Sequence, residues 1–315
     1  MKQLRIVFMG TPAFAVSILE KLMGTDHHIV AVVTAPDRPS GRGRKLNGPA
    51  VKKFAAANNL PVLQPTNLKS KKFLATLKSY NANLQVVVAF RMLPKVVWQM
   101  PEHGTFNLHA SLLPQYRGAA PIHWAIINGE TKTGATTFFI DEKIDTGEII
   151  HSAQVEISPT ETFGSLHTTL MRVGSGLVVK TVGAIATGNV QTKPQPKDVH
   201  YKKAPKLTNE NTRINWDRPV AEIGALVRGL DPWPVAWTEL IDNGTAKKMK
   251  VHIATIQNEK PNAAPGTVFA TKKTMKVAAK DGFVLLEKIQ LPGKKAMNIQ
   301  PFLNGYPFIA GAKLV

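Results

Sequence analysis

Residues 4–23 read Leu-Arg-Ile-Val-Phe-Met-Gly-Thr-Pro-Ala-Phe-Ala-Val-Ser-Ile-Leu-Glu-Lys-Leu-Met, and this stretch decides the fold class. Its first six residues, Leu4–Met9, form a short apolar run that is typical of a buried strand. Gly10-Thr11-Pro12 ends the run, and from Ala13 to Met23 the apolar side chains recur at helical spacing. A tight strand-to-helix turn accounts for Gly10 better than a dinucleotide-binding loop, because the G-x-G-x-x-G pattern is absent.

The alternation of strands and helices continues along the first half of the chain. We predict a β-branched strand at Ile29–Thr34, helices at Val51–Ala57 and Lys69–Lys78, and a strand at Leu84–Phe90. The last strand is apolar almost throughout, as expected where a parallel sheet is covered on both faces. The pattern predicts an α/β domain over residues 1–190 with a Rossmann-like, mostly parallel sheet, which binds ligands at the carboxyl ends of its strands.

The remainder of the chain has a different pattern. Residues 191–206 contain three prolines and five lysines, which predicts an inter-domain linker. Beyond it, short strand candidates are separated by turns at Asn243-Gly244, Asp281-Gly282 and Pro292-Gly293. Many short strands at close spacing predict a small, OB-like antiparallel β-barrel over residues 207–315.

The composition points to a polyanionic partner. The 315 residues include 40 Lys and Arg against 21 Asp and Glu, a net charge of +19, and nucleic acid is the commonest partner of so basic a protein. The alternative is a protein that is basic only for solubility. The chain has no cysteine, which excludes disulfides, zinc–thiolate sites and cysteine nucleophiles. Since the chain enters its first strand without a targeting segment and has no run of membrane-spanning length, we expect a cytoplasmic protein without membrane contact.

A basic segment lies between Pro36 and Pro49. It carries four cationic side chains, Arg38, Arg42, Arg44 and Lys45, together with three glycines and a single acid. Such a segment cannot enter a core, and two interpretations stay equally open: a solvated loop, or a loop that closes on phosphates and orders on binding.

The candidate catalytic residues begin at Asn107. Asn107 and His109 lie two residues apart in an apolar, extended run, so on a strand their side chains share one face. A donor amide beside an imidazole suits a site that binds an oxyanion and moves a proton. Asp145, in Ile-Asp-Thr-Gly, could orient the imidazole, although spacing alone cannot bring it there. The competing interpretations are a core histidine, a solvated turn aspartate, and Ser111 as a nucleophile, which lacks the usual Gly-x-Ser-x-Gly elbow.

These motifs together resemble the folate-dependent formyltransferases. The resemblance rests on Asn107-x-His109, on Ser111-Leu-Leu-Pro-x-Tyr-Arg-Gly118 and on Ile144-Asp-Thr-Gly147. Gly10–Phe14, the Arg-rich loop and Asp231-Pro-x-Pro234 are similar to the members of the family that act on initiator methionyl-tRNA. Where the family commonly has Tyr-Gly after the fourth strand, this chain has Phe90-Arg91.

The resemblance implies an activity and a set of roles. The activity is transfer of a formyl group from 10-formyltetrahydrofolate to the α-amine of initiator methionyl-tRNA. Independently of the resemblance, the scattered histidines predict no metal site, and the lack of a self-complementary apolar patch predicts a monomer. Asn107, His109 and Asp145 are then the catalytic residues. Residues that border the folate are Ser111, Leu112, Leu113 and Pro114, with Phe90 and Arg91. Residues that meet the tRNA are Arg38, Arg42, Arg44 and Lys45, together with the C-terminal barrel.

Three other functions compete with this one. A formyltransferase for a ribonucleotide amine or an amino sugar would share the catalytic residues without needing the basic barrel. A hydrolase of formyl-folate would release formate without an acceptor. A nucleic-acid-binding module with a decayed site would bind RNA and transfer nothing.

Overall fold

The computed structural model describes residues 3–40, 45–196, 200–306 and 311–315. It divides into two compact units, each built from more than one stretch of chain. The first unit contains Met1–Gly118, Gly134–Val155 and His167–Lys203, and the second contains Ala119–Thr133, Glu156–Leu166 and Ala204–Val315.

The described elements alternate between strand and helix in the first part of the chain and are mostly strands afterwards. Up to residue 186 they are, in chain order, β1 (Arg5–Gly10), α1 (Ala13–Met23), β2 (His28–Val33), β3 (Arg38–Ser40), β4 (Lys45–Asn47), α2 (Ala50–Ala57), β5 (Val62–Leu63), α3 (Lys71–Ser79), β6 (Leu84–Val88), α4 (Lys95–Trp98), β7 (Thr105–His109), β8 (Arg117–Gly118), α5 (Pro121–Ile127), β9 (Lys132–Phe139), β10 (Ile149–Glu156) and α6 (Phe163–Ala186). After residue 186 they are β11 (Lys203–Ala204), α7 (Val220–Leu230), β12 (Ala236–Asp242), β13 (Thr245–Gln257), β14 (Val268–Ala270), β15 (Met275–Ala278), β16 (Phe283–Gln290), β17 (Met297–Asn298), α8 (Ile299–Gly305) and β18 (Lys313–Leu314).

The first unit is built around a seven-stranded sheet with the order β10-β9-β7-β6-β1-β2-β5. β1 pairs in parallel with β2 and β6, and β6 pairs in parallel with β7, whereas β7 and β9 are antiparallel. Every residue of β6 is buried, as its nearly continuous apolar run predicts. The predicted Rossmann-like, mostly parallel sheet is therefore confirmed.

Gly10 marks the close approach of the first strand and the first helix. A Cβ atom added at Gly10 would lie 2.6 Å from the Cβ of Ala15 in α1, closer than packed carbons approach. The glycine therefore serves strand–helix packing, in agreement with the prediction of a tight turn. α1 then buries its apolar face, and Ile18, Leu19 and Leu22 are fully inaccessible to solvent.

α6 packs on the face of the sheet opposite Asn107 and His109. A Cβ atom added at Gly174 would lie 2.8 Å from Cδ2 of Leu108, so the glycine lets the helix approach β7 closely. α6 has the length and composition to cross a membrane, but half of its most apolar stretch is buried inside the protein. Such burial fits the core helix of a soluble protein.

The second unit contains an antiparallel sheet with the order β14-β15-β16-β13-β12-β18, and β17 adds to β16. An isolated bridge between Thr267 and Lys313 joins the two ends, so the sheet nearly closes into a barrel. α7 contributes Val220, Ile223 and Val227 to its apolar core. The predicted small antiparallel barrel is confirmed.

The segment predicted as a linker packs in part against the first unit. Lys193 forms an antiparallel bridge with Ile149, and Gln195 is only 6% exposed. Residues 197–199 lie outside the described ranges. The boundaries predicted at residues 190 and 207 stay predictions.

Candidate active site

Asn107 and His109 lie at the carboxyl end of β7, in the middle of the sheet. The register sets Asn107 between Val87 of β6 and Phe138 of β9, so its backbone is fixed on both sides. His109 is the last residue of the strand. Because side chains alternate along a strand, these two share the face opposite Leu108. This is the edge of a parallel sheet at which ligands bind.

The His109 ring is buried, with 6% exposure, and each of its nitrogens faces an oxygen. Nε2 lies 2.8 Å from the backbone oxygen of Tyr116. Since a carbonyl can only accept, Nε2 carries a hydrogen and donates it. Nδ1 lies 3.8 Å from Oδ2 of Asp145. Because Nε2 already donates to the Tyr116 carbonyl, Nδ1 is the ring nitrogen that can accept or release a proton.

Asp145 reaches His109 from a tight turn. Its φ of 55° is in the left-handed region, and its Oδ2 accepts a hydrogen bond of 3.0 Å from the backbone N of Gly118. Gly147, two residues on, leaves no room for a side chain, because an added Cβ would lie 1.7 Å from the Phe139 carbonyl oxygen. The Ile-Asp-Thr-Gly motif is thus a compact turn that presents the carboxylate to the imidazole.

Asn107 is half-buried, and its amide is not fully satisfied. Its Oδ1 is inaccessible to water and has no hydrogen-bond partner among the residues that the structure describes. Leaving a buried polar atom unpaired costs about 1–3 kcal/mol, which a stable core would avoid. The unpaired oxygen indicates a side chain that is retained for function, and the N–H₂ group of the same amide is the donor that it can offer to a substrate oxygen.

Hydrogen bonds hold the turn after His109 on both sides. The hydroxyl of Ser111 donates to the backbone oxygen of Gln115 at 2.6 Å, and Thr136 donates to the Ser111 carbonyl at 2.7 Å. Ser111 is fully buried, which does not suit a nucleophile. Leu113 is buried as well, Leu112 packs over Gly134, and Pro114 is half-buried. The folate contacts predicted for these four residues stay predictions.

Phe90 and Arg91 follow β6 on the same edge of the sheet. The guanidinium of Arg91 donates to the backbone oxygens of Thr66, at 3.0 Å, and Pro65, and it lies 5.6 Å from the centroid of the Phe90 ring. Burial, and after it the positive charge of Arg38, lower the pKa of Arg91. The side chain is therefore tied to the loop after β5, and contact of either residue with folate stays a prediction.

Only part of the basic segment can be placed. Arg38 lies on β3, which pairs with β4 through Arg38 and Asn47. Arg42 and Arg44 lie outside the described residues, as does the side chain of Lys45. Within the segment, the carboxylate of Asp37 accepts hydrogen bonds from Gln64 and Lys52. These hydrogen bonds lower the pKa of Asp37, and the bond from Gln64 has the larger effect.

Two residues to which the sequence analysis gave no role hold the Asp145 turn, namely Gln195 and, through it, Arg117. Nε2 of Gln195 donates to the backbone oxygens of Asp145 and Gly147, at 3.0 and 2.8 Å. Arg117 donates in turn to Oε1 of Gln195. Gln195 lies in a stretch whose prolines and lysines indicate a linker. Nothing in the neighbouring sequence predicts that this side chain is buried.

Comparisons with known proteins identify the family. Residues 4–182 match the family model described as Formyl transferase, and residues 206–307 match the model described as Formyl transferase, C-terminal domain. The chain belongs to the formyl transferase family. The resemblance read from the sequence is therefore confirmed.

The relatives cover the whole chain. It is 53% identical over 314 residues to a protein of Flavobacterium johnsoniae named methionyl-tRNA formyltransferase, covering 100% of both chains. A protein of Flavobacterium psychrophilum with the same name is 52% identical and covers 98% of each chain. The crystal structure of WlaRD, a sugar 3N-formyl transferase with dTDP and 5-N-formyl-THF, shares the fold. Its TM-score is 0.65 at 19% identity, and the match covers 94% of this chain and 100% of that one.

The described residues contain no cluster of three or more His, Asp or Glu side chains that could hold a metal ion. The chemistry available at this edge of the sheet is that of an amide, an imidazole and a carboxylate. These groups can stabilise an oxyanion and transfer a proton between two nitrogens.

Proposed function

We propose that this protein transfers the formyl group of 10-formyltetrahydrofolate to the α-amine of initiator methionyl-tRNA. Family membership and the full-length relatives support the reaction and the acceptor. The observation that carries the assignment of the site is the approach of Asp145 Oδ2 to within 3.8 Å of His109 Nδ1, beside the unpaired amide oxygen of Asn107.

Asn107 is proposed to stabilise the oxyanion. Attack of the amine on the formyl carbon forms a carbon–nitrogen bond and places negative charge on the formyl oxygen. The Asn107 amide donates to that oxygen, and one such donor lowers the barrier by about 3–4 kcal/mol.

His109 and Asp145 are proposed to move the proton. The attacking amine, with an ordinary pKa of about 8, reacts in its neutral form and must lose one proton after attack. His109 Nδ1, facing the Asp145 carboxylate, takes this proton and delivers it to the folate nitrogen as the formyl–nitrogen bond breaks. Asp145 stabilises the imidazolium that forms in between.

Charge supports a tRNA acceptor. Residues 201–315 hold 18 basic and 9 acidic side chains, a net charge of +9, on the barrel and the segments beside it. The predicted roles of Arg38, Arg42, Arg44 and Lys45 fit contact with the acceptor end, since cations on a loop position phosphates. A monomeric, cytoplasmic enzyme without membrane contact belongs to the same proposal.

The test is an acceptor panel. Purified enzyme with 10-formyltetrahydrofolate is given initiator methionyl-tRNA, elongator methionyl-tRNA, glycinamide ribonucleotide or an amino-sugar nucleotide, with His109→Ala as the blank. The proposal requires transfer to initiator methionyl-tRNA above the others. Preferred transfer to a small amine would contradict it, as would formate release without acceptor or tRNA binding without transfer.

Arg42→Ala is expected to lower kcat/KM for methionyl-tRNA about tenfold and to leave KM for folate unchanged, because it removes a phosphate contact. The magnitude of the salt slope of tRNA binding should fall by about one. Arg172→Ala, at an exposed arginine of α6, is the matched control. An equal loss with a methionine ester as acceptor would contradict a tRNA contact.

A further inference from the structure

The Asp145 turn is held from outside at both its side chain and its backbone. The carboxylate accepts from the backbone N of Gly118. The backbone oxygens of Asp145 and Gly147 both accept from Nε2 of Gln195, at 3.0 and 2.8 Å. A side-chain amide has two hydrogens, so Gln195 commits its entire donor capacity to this one turn.

Gln195 cannot turn its amide over. Nε and Nη2 of Arg117 approach its Oε1 at 3.1 and 2.6 Å, and a guanidinium only donates. The oxygen must therefore face Arg117 and the nitrogen must face the turn. The guanidinium is itself fixed, since it lies over the Tyr201 ring at 4.9 Å from the centroid.

Arg117 and Gly118 are the two residues of β8, and both hold the Asp145 turn. We call Arg117, Gly118 and Gln195 together the clamp. Gly118 binds the carboxylate of Asp145 directly, and Arg117 fixes the backbone of Asp145 through Gln195. Asp145 has a left-handed φ of 55°, a conformation that Asp adopts more readily than most residues but that still costs up to about 1–2 kcal/mol. The hydrogen bonds of the clamp offset this cost and hold the carboxylate beside His109.

We propose that Gln195, oriented by Arg117, is a positioning residue that sets the distance between the Asp145 carboxylate and the His109 ring. The inference rests on the proposed roles of Asp145 and His109 in formyl transfer. Gln195 touches neither the imidazole nor the reacting atoms; it acts only through the turn. A shift of about 1 Å in a catalytic group costs up to 100-fold in rate, so the clamp controls turnover.

Gln195→Glu is the sharpest variant, because it keeps the size of the side chain and its contact with Arg117. It removes both hydrogens from the turn and sets a carboxylate oxygen against two carbonyl oxygens. We expect kcat to fall about 10- to 100-fold, with KM for folate and for methionyl-tRNA within twofold of wild type. Gln195→Met repeats the test without an added charge, and it replaces Gln195→Glu if thermal melting shows that variant to be unfolded. Gln154→Glu, at an exposed glutamine of β10, is the matched control.

A double-mutant cycle with Asp145→Asn separates positioning from general support of the fold. If Gln195 acts through Asp145, its substitution costs little more once the carboxylate is gone, and the two effects do not add. Additive losses, or a Gln195→Glu enzyme with the kcat of wild type, would overturn the inference. Wild-type kcat in Asp145→Asn alone would instead overturn the proposed catalytic site, so the two failures are distinguishable.

Discussion

Replacing His109 by alanine is expected to lower kcat for formyl transfer by two to four orders of magnitude, the usual contribution of a positioned acid–base group. The ring lies between the Tyr116 carbonyl and the Asp145 carboxylate, and the described structure offers no second imidazole within this hydrogen-bonded group. KM for methionyl-tRNA should stay within a few-fold of wild type, because the proton moves only during the reaction. Steady-state rates at saturating folate and tRNA test this.

The control for His109→Ala is His28→Ala, which removes an exposed imidazole at the start of β2 in the same unit. It should keep the wild-type kcat. Far-ultraviolet circular dichroism and thermal melting of both variants show whether the lost activity follows lost structure. A folded His109→Ala enzyme with kcat within threefold of wild type would remove the imidazole from the mechanism.

The features that sequence alone predicts are those set by neighbouring residues. The apolar run and helical spacing of residues 4–23 predict β1 and α1, and the nearly continuous apolar run that begins at residue 84 predicts a strand buried on both faces. The shared face of Asn107 and His109 also follows from spacing alone, because alternation along a strand is a local property.

Features that depend on distant contacts could not be predicted in this way. Asp145 lies 36 positions after His109, and its place in the site followed from the family resemblance. The composition around Gln195 indicates a linker, so the sequence gives no sign that this residue is buried. Its burial depends on hydrogen bonds to the distant turn that contains Asp145 and Gly147. Likewise, residues 119–133 and 156–166 belong to the second unit, although they interrupt the sequence of the first.

Asn107→Ala is expected to lower kcat about 100- to 1,000-fold, the cost of removing one donor to an oxyanion. KM for both substrates should change little, since the formyl oxygen gains its charge only in the transition state. Asn107→Asp should be at least as slow, because a carboxylate cannot donate and adds a negative charge beside the developing one. Single-turnover rates with enzyme in excess isolate this step from product release.

Asn107→Ala should lower kcat without lowering the thermal stability of the enzyme. The Oδ1 of Asn107 is buried without a partner among the described residues, an arrangement that costs about 1–3 kcal/mol in the free enzyme. The Asn107→Ala substitution removes this oxygen and should therefore leave Tm equal to that of wild type or higher. The control is Asn189→Ala, at an exposed asparagine after α6, which should change neither Tm nor kcat. A slow but fully stable Asn107→Ala enzyme would show that the amide is kept for the reaction, since a structural asparagine would lose stability on substitution. An Asn107→Ala enzyme that melts several degrees lower and retains its kcat would assign the residue to the fold instead.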